Sequence, residues 1–185
     1  FLVGYIEGAL EVNPDVKVVA NYPGDYYDPA KGKEHGIVMC NQGVEVMFAA
    51  AGPTGLGVIE AATDADKYIV GVDSDQSAGY AANGDENTAN HIATSMMKNV
   101  GDAIFRAIDL DLKGELELGT SESLGIAEGG VGLAKNDVYN GLLTDEEKKM
   151  VEDIEAKVVA GEIKVSTAIG MTTEDLDKLR NSVAP

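Results

Sequence analysis

The sequence predicts an α/β fold in which a mainly parallel sheet is flanked by helices. Short apolar runs rich in β-branched residues alternate with helical patterns, as in residues 44–51, 55–64 and 67–72. This order is typical of β-α-β units, whose right-handed crossovers bring the carboxyl ends of the strands to one side. Two of these strands run into a glycine-rich or polar loop. Ligands of open parallel sheets bind just beyond such strand ends.

The first half of the chain shows this alternation most clearly. Asn13 and Pro14 end the first helix, whereas Asp28 as N-cap and Pro29 in the first turn begin the second. The predicted elements are a helix over residues 1–11, a strand over 16–20, a loop over 21–28, a helix over 29–42, a strand over 44–51, a helix over 55–64 and a strand over 67–72.

The second half is less regular. Gly114 ends one helix, Thr144 and Glu147 form a capping box that begins another, and Thr172 or Thr173 caps the last. The predicted elements are a loop over residues 77–90, a strand over 91–95, a helix over 96–112, extended chain over 115–117 and 125–134, a helix over 145–160, a strand over 163–165 and a helix over 172–181.

Composition and charge exclude several classes of partner. With 14 Lys and Arg against 32 Asp and Glu, the formal net charge of −18 repels phosphate backbones and anionic membrane faces. We therefore expect no nucleic-acid partner. The single Cys40 and the two histidines, His35 and His91, have no metal-ligand spacing, so neither a metal nor a cofactor is expected.

The chain begins inside a predicted helix. A doubly wound lobe normally opens with a strand that leads into such a helix. We therefore expect additional sequence before Phe1 in the full protein.

Five blocks in order resemble the basic membrane protein family. They are Gly4-Tyr5 to Pro14 with residues 28–34, Ala50 to Gly57, Gly71 to Gln76, Thr94 to Asn99, and Gly161 to Val165. The family comprises purine nucleoside receptor-like substrate-binding lipoproteins of bacterial ABC transporters. The blocks span most of the chain, and their coincidence is specific although each block alone is weak.

The resemblance implies a type I periplasmic-binding fold with two α/β lobes that close on a ligand. Residues 1–95 are expected to form the second, ligand-binding lobe. Residues 96–114 are expected to form a helix that crosses to or packs with the first lobe, and residues 115–185 to return to the second lobe and end in helices. Most of the first lobe lies outside the chain.

The resemblance also implies a ligand site. Asp73 matches an aspartate that contacts ribose, because a carboxylate can accept hydrogen bonds from two vicinal hydroxyls. Its alternative role is to cap a turn, since residues 73–75 are turn-like. Asp75 and Gln76 are expected to hold this loop in shape. Tyr26 matches a phenylalanine that stacks on the purine, although the adjacent Tyr27 leaves the register open by one residue.

Three further residues are candidates. Gly52 allows the backbone to approach a ligand closely, and Thr54 follows it in a G-x-x-G-x-G pattern that is neither a P-loop nor a dinucleotide fingerprint. Lys98 matches the family's serine–x–x–lysine block and is expected to donate to a base or a ribose oxygen. Without the resemblance, the glycines indicate a tight turn and Lys98 an ordinary surface lysine.

The family resemblance implies a nucleoside importer subunit that works with ABC permease subunits outside the cytoplasm. Its lipid anchor is expected to lie outside this chain. A signalling receptor with the same fold is the alternative. An enzyme is not expected, because the sequence has no nucleophile elbow, no histidine near a serine and no dinucleotide fingerprint.

Overall fold

The computed structural model describes all 185 residues, which form a four-stranded sheet surrounded by nine helices. The strands are β1 (Val46–Phe48), β2 (Tyr68–Asp73), β3 (Ile92–Lys98) and β4 (Val131–Leu133). The helices are α1 (Leu2–Val12), α2 (Pro29–Asn41), α3 (Thr54–Asp64), α4 (Gln76–Ala82), α5 (Glu86–His91), α6 (Val100–Lys113), α7 (Asp137–Leu142), α8 (Asp145–Val159) and α9 (Thr173–Ser182). No helix combines the length and the apolar character that crossing a bilayer requires.

The sheet is mainly parallel, which confirms the expected fold class. Its strands lie in the order β1-β2-β3-β4. The first three are parallel, and β4 runs antiparallel to β3. The carboxyl ends of β1, β2 and β3 therefore meet at one edge of the sheet, which we call the site edge.

Two separate apolar cores hold these elements. The larger core joins the sheet to α3 and contains Met47, Ala49, Ile59, Ala62, Ile69 and Ile92. The smaller core joins α1 to the C-terminal segment through Ile6, Val18 and Val183. Because Val18 is part of the smaller core, residues 16–20 pack on α1 and α9.

Helices α2 and α3 lie side by side and are joined across their exposed edge. The Lys33 ammonium lies 2.6 Å from Glu60 and 2.8 Å from Asp64. At its N-terminus, α2 is capped by the Asp28 carboxylate, which accepts from the Lys31 N–H at 3.0 Å. This cap fixes where the preceding loop, which carries Tyr26, enters the helix.

Several predicted elements differ from those observed. Residues 77–90 form α4 and α5 instead of a loop, because Asp75 and Asp85 accept from the N–H groups of Ala78 and Thr88 at 3.1 and 3.0 Å and cap both helices. The strand predicted over 91–95 continues to Lys98 because it pairs with strands on both sides. The helix predicted from residue 96 therefore begins only at Val100.

The strands predicted over residues 16–20 and 163–165 are not formed because pairing partners are lacking, and the extended segments 115–117 and 125–134 contribute only β4 to the sheet. Residues 16–20, 115–117 and 163–165 join no ladder, and within 125–134 only β4 does. The sequence interpretation also missed the short helix α7, which Asn136 caps by accepting from the Tyr139 N–H at 3.0 Å.

The structure identifies Thr172 as the cap of α9, with its hydroxyl accepting from the Asp175 N–H at 3.1 Å. We predict that Thr172→Ala lowers the free energy of unfolding by roughly 0.5–2 kcal/mol, because an N-terminal N–H loses its acceptor. The neighbouring Thr173→Ala is the matched control and should change it little. Urea denaturation of both variants measures the difference, and equal effects would contradict the assignment of the cap.

Candidate functional site

Two oppositely charged side chains end neighbouring strands at the site edge. Asp73 is the last residue of β2 and Lys98 the last of β3. The Lys98 Nζ lies 2.7 Å from the Asp73 Oδ1, and their side chains remain 44% and 53% exposed. The pair is therefore formed and open to solvent.

The backbone of Asp73 is held in an uncommon conformation. Its φ of 70° lies in the left-handed region, which aspartate adopts more readily than most residues. Around it, the Val72 N–H donates to the Gln76 side-chain oxygen at 2.8 Å, and the Ser74 N–H donates to the Val72 carbonyl at 2.8 Å. Backbone strain that the surroundings enforce in this way is concentrated at functional sites.

A second set of contacts fixes the Asp73 turn from below and confirms that Asp75 and Gln76 hold it. The Gln76 N–H donates to the Ser95 hydroxyl at 3.1 Å, and the Asn136 amide donates to the Asp75 carboxylate at 2.8 Å. A Cβ at Gly71 would lie 2.5 Å from the Ser95 Oγ and 2.7 Å from the Gln76 Oε1, so a larger residue would displace the side chains that hold the turn. The sequence showed Ser95 only as the serine of the serine–x–x–lysine block and gave it no role of its own, and it gave no signal for Asn136.

Tyr26 covers the turn after β1. Its ring lies so close over Gly52 that a Cβ on this glycine would overlap it, and Gly52 has a φ of 57°. Tyr26 is 56% exposed. The ring of Tyr27 meets it edge-on at 5.2 Å. The structure thus brings Tyr26 over the site turn, which favours Tyr26 as the candidate stacking residue.

Thr54 lies beneath this tyrosine and is fully buried. Its hydroxyl donates to the Asp25 carbonyl at 2.9 Å and accepts from the Asp28 N–H at 3.0 Å. Its own N–H donates to the Tyr26 carbonyl at 3.2 Å. These contacts make Thr54 a positioning residue for the Tyr26 loop, and a direct ligand contact by Thr54 stays a prediction.

The electrostatics of Lys98 connect the two halves of the site. The pKa of Lys98 is raised, first by the hydrogen bond with Asp73, whereas partial burial acts in the opposite direction. The charge of Asp73 and the hydroxyl of Tyr26 add smaller electrostatic contributions that also raise it. The Asp73–Lys98 pair ends β2 and β3, and the Tyr26 ring covers the Gly52 turn that follows β1, so all three residues lie at the site edge.

This arrangement provides a carboxylate acceptor, an ammonium donor and an aromatic face. Such groups can bind hydroxyls and a flat ring. No group of three or more His, Cys, Asp and Glu side chains is arranged to hold a metal ion. A cavity of about 910 Å³ is lined by residues 44–51 and 15–23 and does not include Asp73 or Lys98.

Comparison with known proteins gives a consistent result. A family model described as "ABC transporter substrate-binding protein PnrA-like" matches residues 1–168. Basic membrane protein D of Borreliella burgdorferi (strain JD1) is 39% identical over 140 residues, which are 74% of this chain and 39% of that protein. The ABC transporter nucleoside-binding protein BmpA of Lactococcus lactis subsp. cremoris (strain MG1363) is 32% identical over 174 residues, which are 89% of this chain and 48% of that protein. The chain thus spans less than half the length of these relatives.

Solved structures share the fold. An ABC transporter solute-binding protein from Aeropyrum pernix K1 has a TM-score of 0.73 at 24% identity, covering 98% of this chain and 56% of that chain. A transcriptional activator of the comK gene from Bacillus halodurans has a TM-score of 0.73 at 22% identity, covering 85% and 51%. The likeness to the Aeropyrum protein confirms the α/β architecture of solute-binding proteins.

The buried hydroxyl of Thr54 generates the first prediction from the site. We expect Thr54→Val, which keeps the shape and removes the hydroxyl, to lower the free energy of unfolding by about 1–3 kcal/mol because buried backbone partners lose their hydrogen bonds. It should also speed hydrogen exchange at the Asp28 amide. Thr54→Ser is the matched control because it keeps the hydroxyl, and it should retain slow exchange. Slow exchange at Asp28 in the valine variant would contradict the positioning role.

The raised pKa of Lys98 generates the second prediction. The pKa of Lys98 is higher in the folded state than in the unfolded state. The ion pair therefore contributes fully to stability at a pH below the unfolded-state pKa, and this contribution is lost as the pH rises through the folded-state pKa. In Asp73→Asn the Lys98 midpoint should fall, since the largest cause of the shift is removed. NMR titration of the Lys98 side chain in the unmodified protein and in the variant measures both midpoints. An unchanged midpoint would show that the pair does not form in solution.

Proposed function

The chain belongs to the PnrA-like family of ABC transporter substrate-binding proteins, and from this membership we propose that it supplies one side of a nucleoside-binding cleft. The observation that carries the proposal is the convergence of Tyr26, Asp73 and Lys98 at the site edge. These groups match the chemistry of a nucleoside, which joins a flat base to a sugar with vicinal hydroxyls.

Each group takes a distinct part of the ligand in this proposal. Asp73 accepts hydrogen bonds from the ribose hydroxyls, and Tyr26 stacks on a purine base. Lys98 donates to a base or a ribose oxygen, and the Gly52 turn lets the backbone approach. The name of the Lactococcus relative, a nucleoside-binding protein, supports this ligand class.

The charge of the chain favours an uncharged ligand. The net charge is −18, and the carboxylates of Asp25, Asp28 and Asp75 lie on the loops around the site. A nucleotide phosphate would be repelled by this field, with Lys98 as the compensating cation at the strand ends. A neutral nucleoside avoids that cost. We therefore propose nucleosides and not nucleotides as the ligands.

Helix α6 supports a cleft between two lobes. It begins two residues after Lys98, and its outward face exposes apolar side chains at 55% to 81% of their surface: Val100, Ile104, Phe105, Ile108 and Leu112. We propose that residues 96–114 cross to the other lobe and pack against it. Residues 1–95 and 115–185, together with residues 96–98 at the end of β3, then form the lobe that carries the site edge.

The transport role follows from the family. We propose that the complete protein acts outside the cytoplasm, is anchored to the cell membrane by a lipid outside residues 1–185, and delivers its ligand to ABC permease subunits. Binding and release require no bond to be made or broken, so we propose no catalytic residue and no cofactor.

The proposal predicts that Asp73 dominates affinity. In the full-length protein, Asp73→Asn should weaken binding of inosine, guanosine or adenosine by about tenfold or more, because hydrogen bonds to a charged acceptor become neutral ones. Asparagine tolerates the left-handed backbone, so the turn should persist. Isothermal titration measures the affinity.

The matched control is Asp66→Asn. Asp66 also has a positive φ and also contacts a basic side chain, His91, but it lies before β2 at the opposite end of the strand. The Asp66→Asn variant should bind these nucleosides with the same affinity as the unmodified protein. Equal affinities in both variants would exclude Asp73 from the site, and binding of none of these nucleosides by the full-length protein would contradict the proposed function.

A further inference from the structure

Helices α2 and α3 meet backbone to backbone where they begin. A Cβ built on Gly32 of α2 would overlap the carbonyl oxygen of Thr54. A Cβ built on Gly57 of α3 would overlap the carbonyl oxygen of Pro29. The contact is reciprocal, because each carbonyl belongs to the first residue of its helix and each glycine is three residues further along. Both glycines are buried. We call this pair of contacts the α2–α3 clasp.

The clasp leaves no room for a side chain at either glycine. The nearest atoms that a methyl group would meet belong to the backbone of the other helix, where hydrogen bonds hold the carbonyl of the first residue in place. An alanine at Gly32 or Gly57 must therefore move one helix away from the other. Glycine disfavours a helix relative to alanine, so close packing and not helix propensity accounts for both residues. Such close approach also lets a glycine Cα–H contact a carbonyl oxygen.

One turn further along, the same two helices touch through a side chain. A Cβ on Gly36 would lie 2.6 Å from the Cβ of Ala61, an atom that a second substitution can remove. Gly36 and Ala61 each follow a clasp glycine by four residues, so the two helices run in the same direction. The backbone therefore sets the spacing of the helices at their starts, and side chains set it beyond.

The two helix starts carry the two turns of the aromatic half of the site. The loop with Tyr26 leads into α2, and the turn with Gly52 leads into α3. Thr54 joins them, because its N–H donates to the Tyr26 carbonyl at 3.2 Å while Gly32 covers its own carbonyl. A Cβ on Gly52 would overlap Cε1 and Cζ of the Tyr26 ring and lie 2.8 Å from Cε2, so this glycine lies against the face of the ring. The spacing of the helix starts thus determines whether the ring stays over the turn.

We propose that Gly32 and Gly57 are positioning residues for the ligand site. By keeping the starts of α2 and α3 in backbone contact, they fix the Tyr26 ring over the Gly52 turn and so present its exposed part to the ligand. Neither glycine touches the ligand, and each acts through the backbone of the other helix. The inference rests on the proposed function, which supplies the flat ring that Tyr26 stacks on.

The position of the ring can be measured in the full-length protein without any ligand. In the unmodified protein, the Tyr26 ring should shield the Hα protons of Gly52 and shift their NMR signals upfield, because they lie over its face. In Gly57→Ala, the helix starts are forced apart, and the Gly52 signals should return towards ordinary glycine positions. Gly32→Ala should have the same effect, since its methyl group meets the other carbonyl of the clasp.

The matched control is Gly36→Ala, on the same interface but beyond the clasp. Its methyl group meets the Ala61 side chain, so stability should fall and should be regained in the double variant with Ala61→Gly. The upfield shift of Gly52 should persist in both. Retention of that shift in Gly57→Ala, or its equal loss in Gly36→Ala, would overturn the positioning role.

Amide hydrogen exchange in the unmodified protein tests the same role, even if the clasp variants do not fold. The Thr54 N–H is bonded to the Tyr26 loop, and the Gly32 N–H donates to the Asp28 carbonyl at 3.0 Å at the start of α2. If the clasp joins the loop and both helix starts into one unit, the opening constants of these two amides should agree within about tenfold. A larger ratio would show that the loop moves independently of the helix start and would overturn the proposal.

Nucleoside binding provides the last measurement. In isothermal titration with inosine, Gly57→Ala should bind about two- to tenfold more weakly than the unmodified protein, which is the share that aromatic stacking provides. Gly36→Ala should bind like the unmodified protein. An unchanged affinity in a variant that has lost the Gly52 shift would overturn the role of the clasp in binding. If the unmodified protein binds no nucleoside, the proposed function fails, whereas the Gly52 shift still decides whether the glycines position Tyr26.

Discussion

The candidate site depends on the left-handed backbone at Asp73. A strand that ended in ordinary extended geometry would direct its last side chain above or below the sheet. The turn instead places the Asp73 carboxylate 2.7 Å from the end of the neighbouring strand, at Lys98. Hydrogen bonds with Gln76 and Ser95 hold this turn in place. The ends of β2 and β3 are therefore joined by one ion pair in the absence of a ligand.

The aromatic half of the site is built by a different device. Tyr26 lies on a loop that Thr54 fixes with three hydrogen bonds. Their partners are the Asp25 carbonyl, the Asp28 N–H and the Tyr26 carbonyl. One buried hydroxyl and one N–H at the start of α3 thus hold a loop that would otherwise move. Thr54 therefore positions the Tyr26 loop through its hydrogen bonds, whether or not it also contacts a ligand.

The sequence could predict those site positions that are marked by their immediate neighbours in the chain. Asp73 follows an apolar run and Gly52 opens a glycine-rich turn, so the local pattern marked both, whereas Lys98 was expected within a helix and became a candidate through the family resemblance. It could not predict the role of Thr54, whose partners are backbone groups 26 and 29 residues away, or of Asn136, which is 61 residues from Asp75. Residues 16–20 show the same limit, because a β-branched run becomes a strand only where a partner pairs with it.

The Lys98–Asp73 pair is better suited to orienting groups than to stabilising the fold. A pair this exposed contributes about 0–1 kcal/mol, whereas a hydrogen bond to a charged group contributes about 1.5–3 kcal/mol. A carboxylate has about four acceptor positions, and a single ammonium such as that of Lys98 leaves some of them free. Ribose hydroxyls can therefore bind Asp73 while Lys98 stays in place, and displacing Lys98 would also cost little. The pair holds the Asp73 carboxylate at the site edge, so the proposed ligand would meet an acceptor that is already in place.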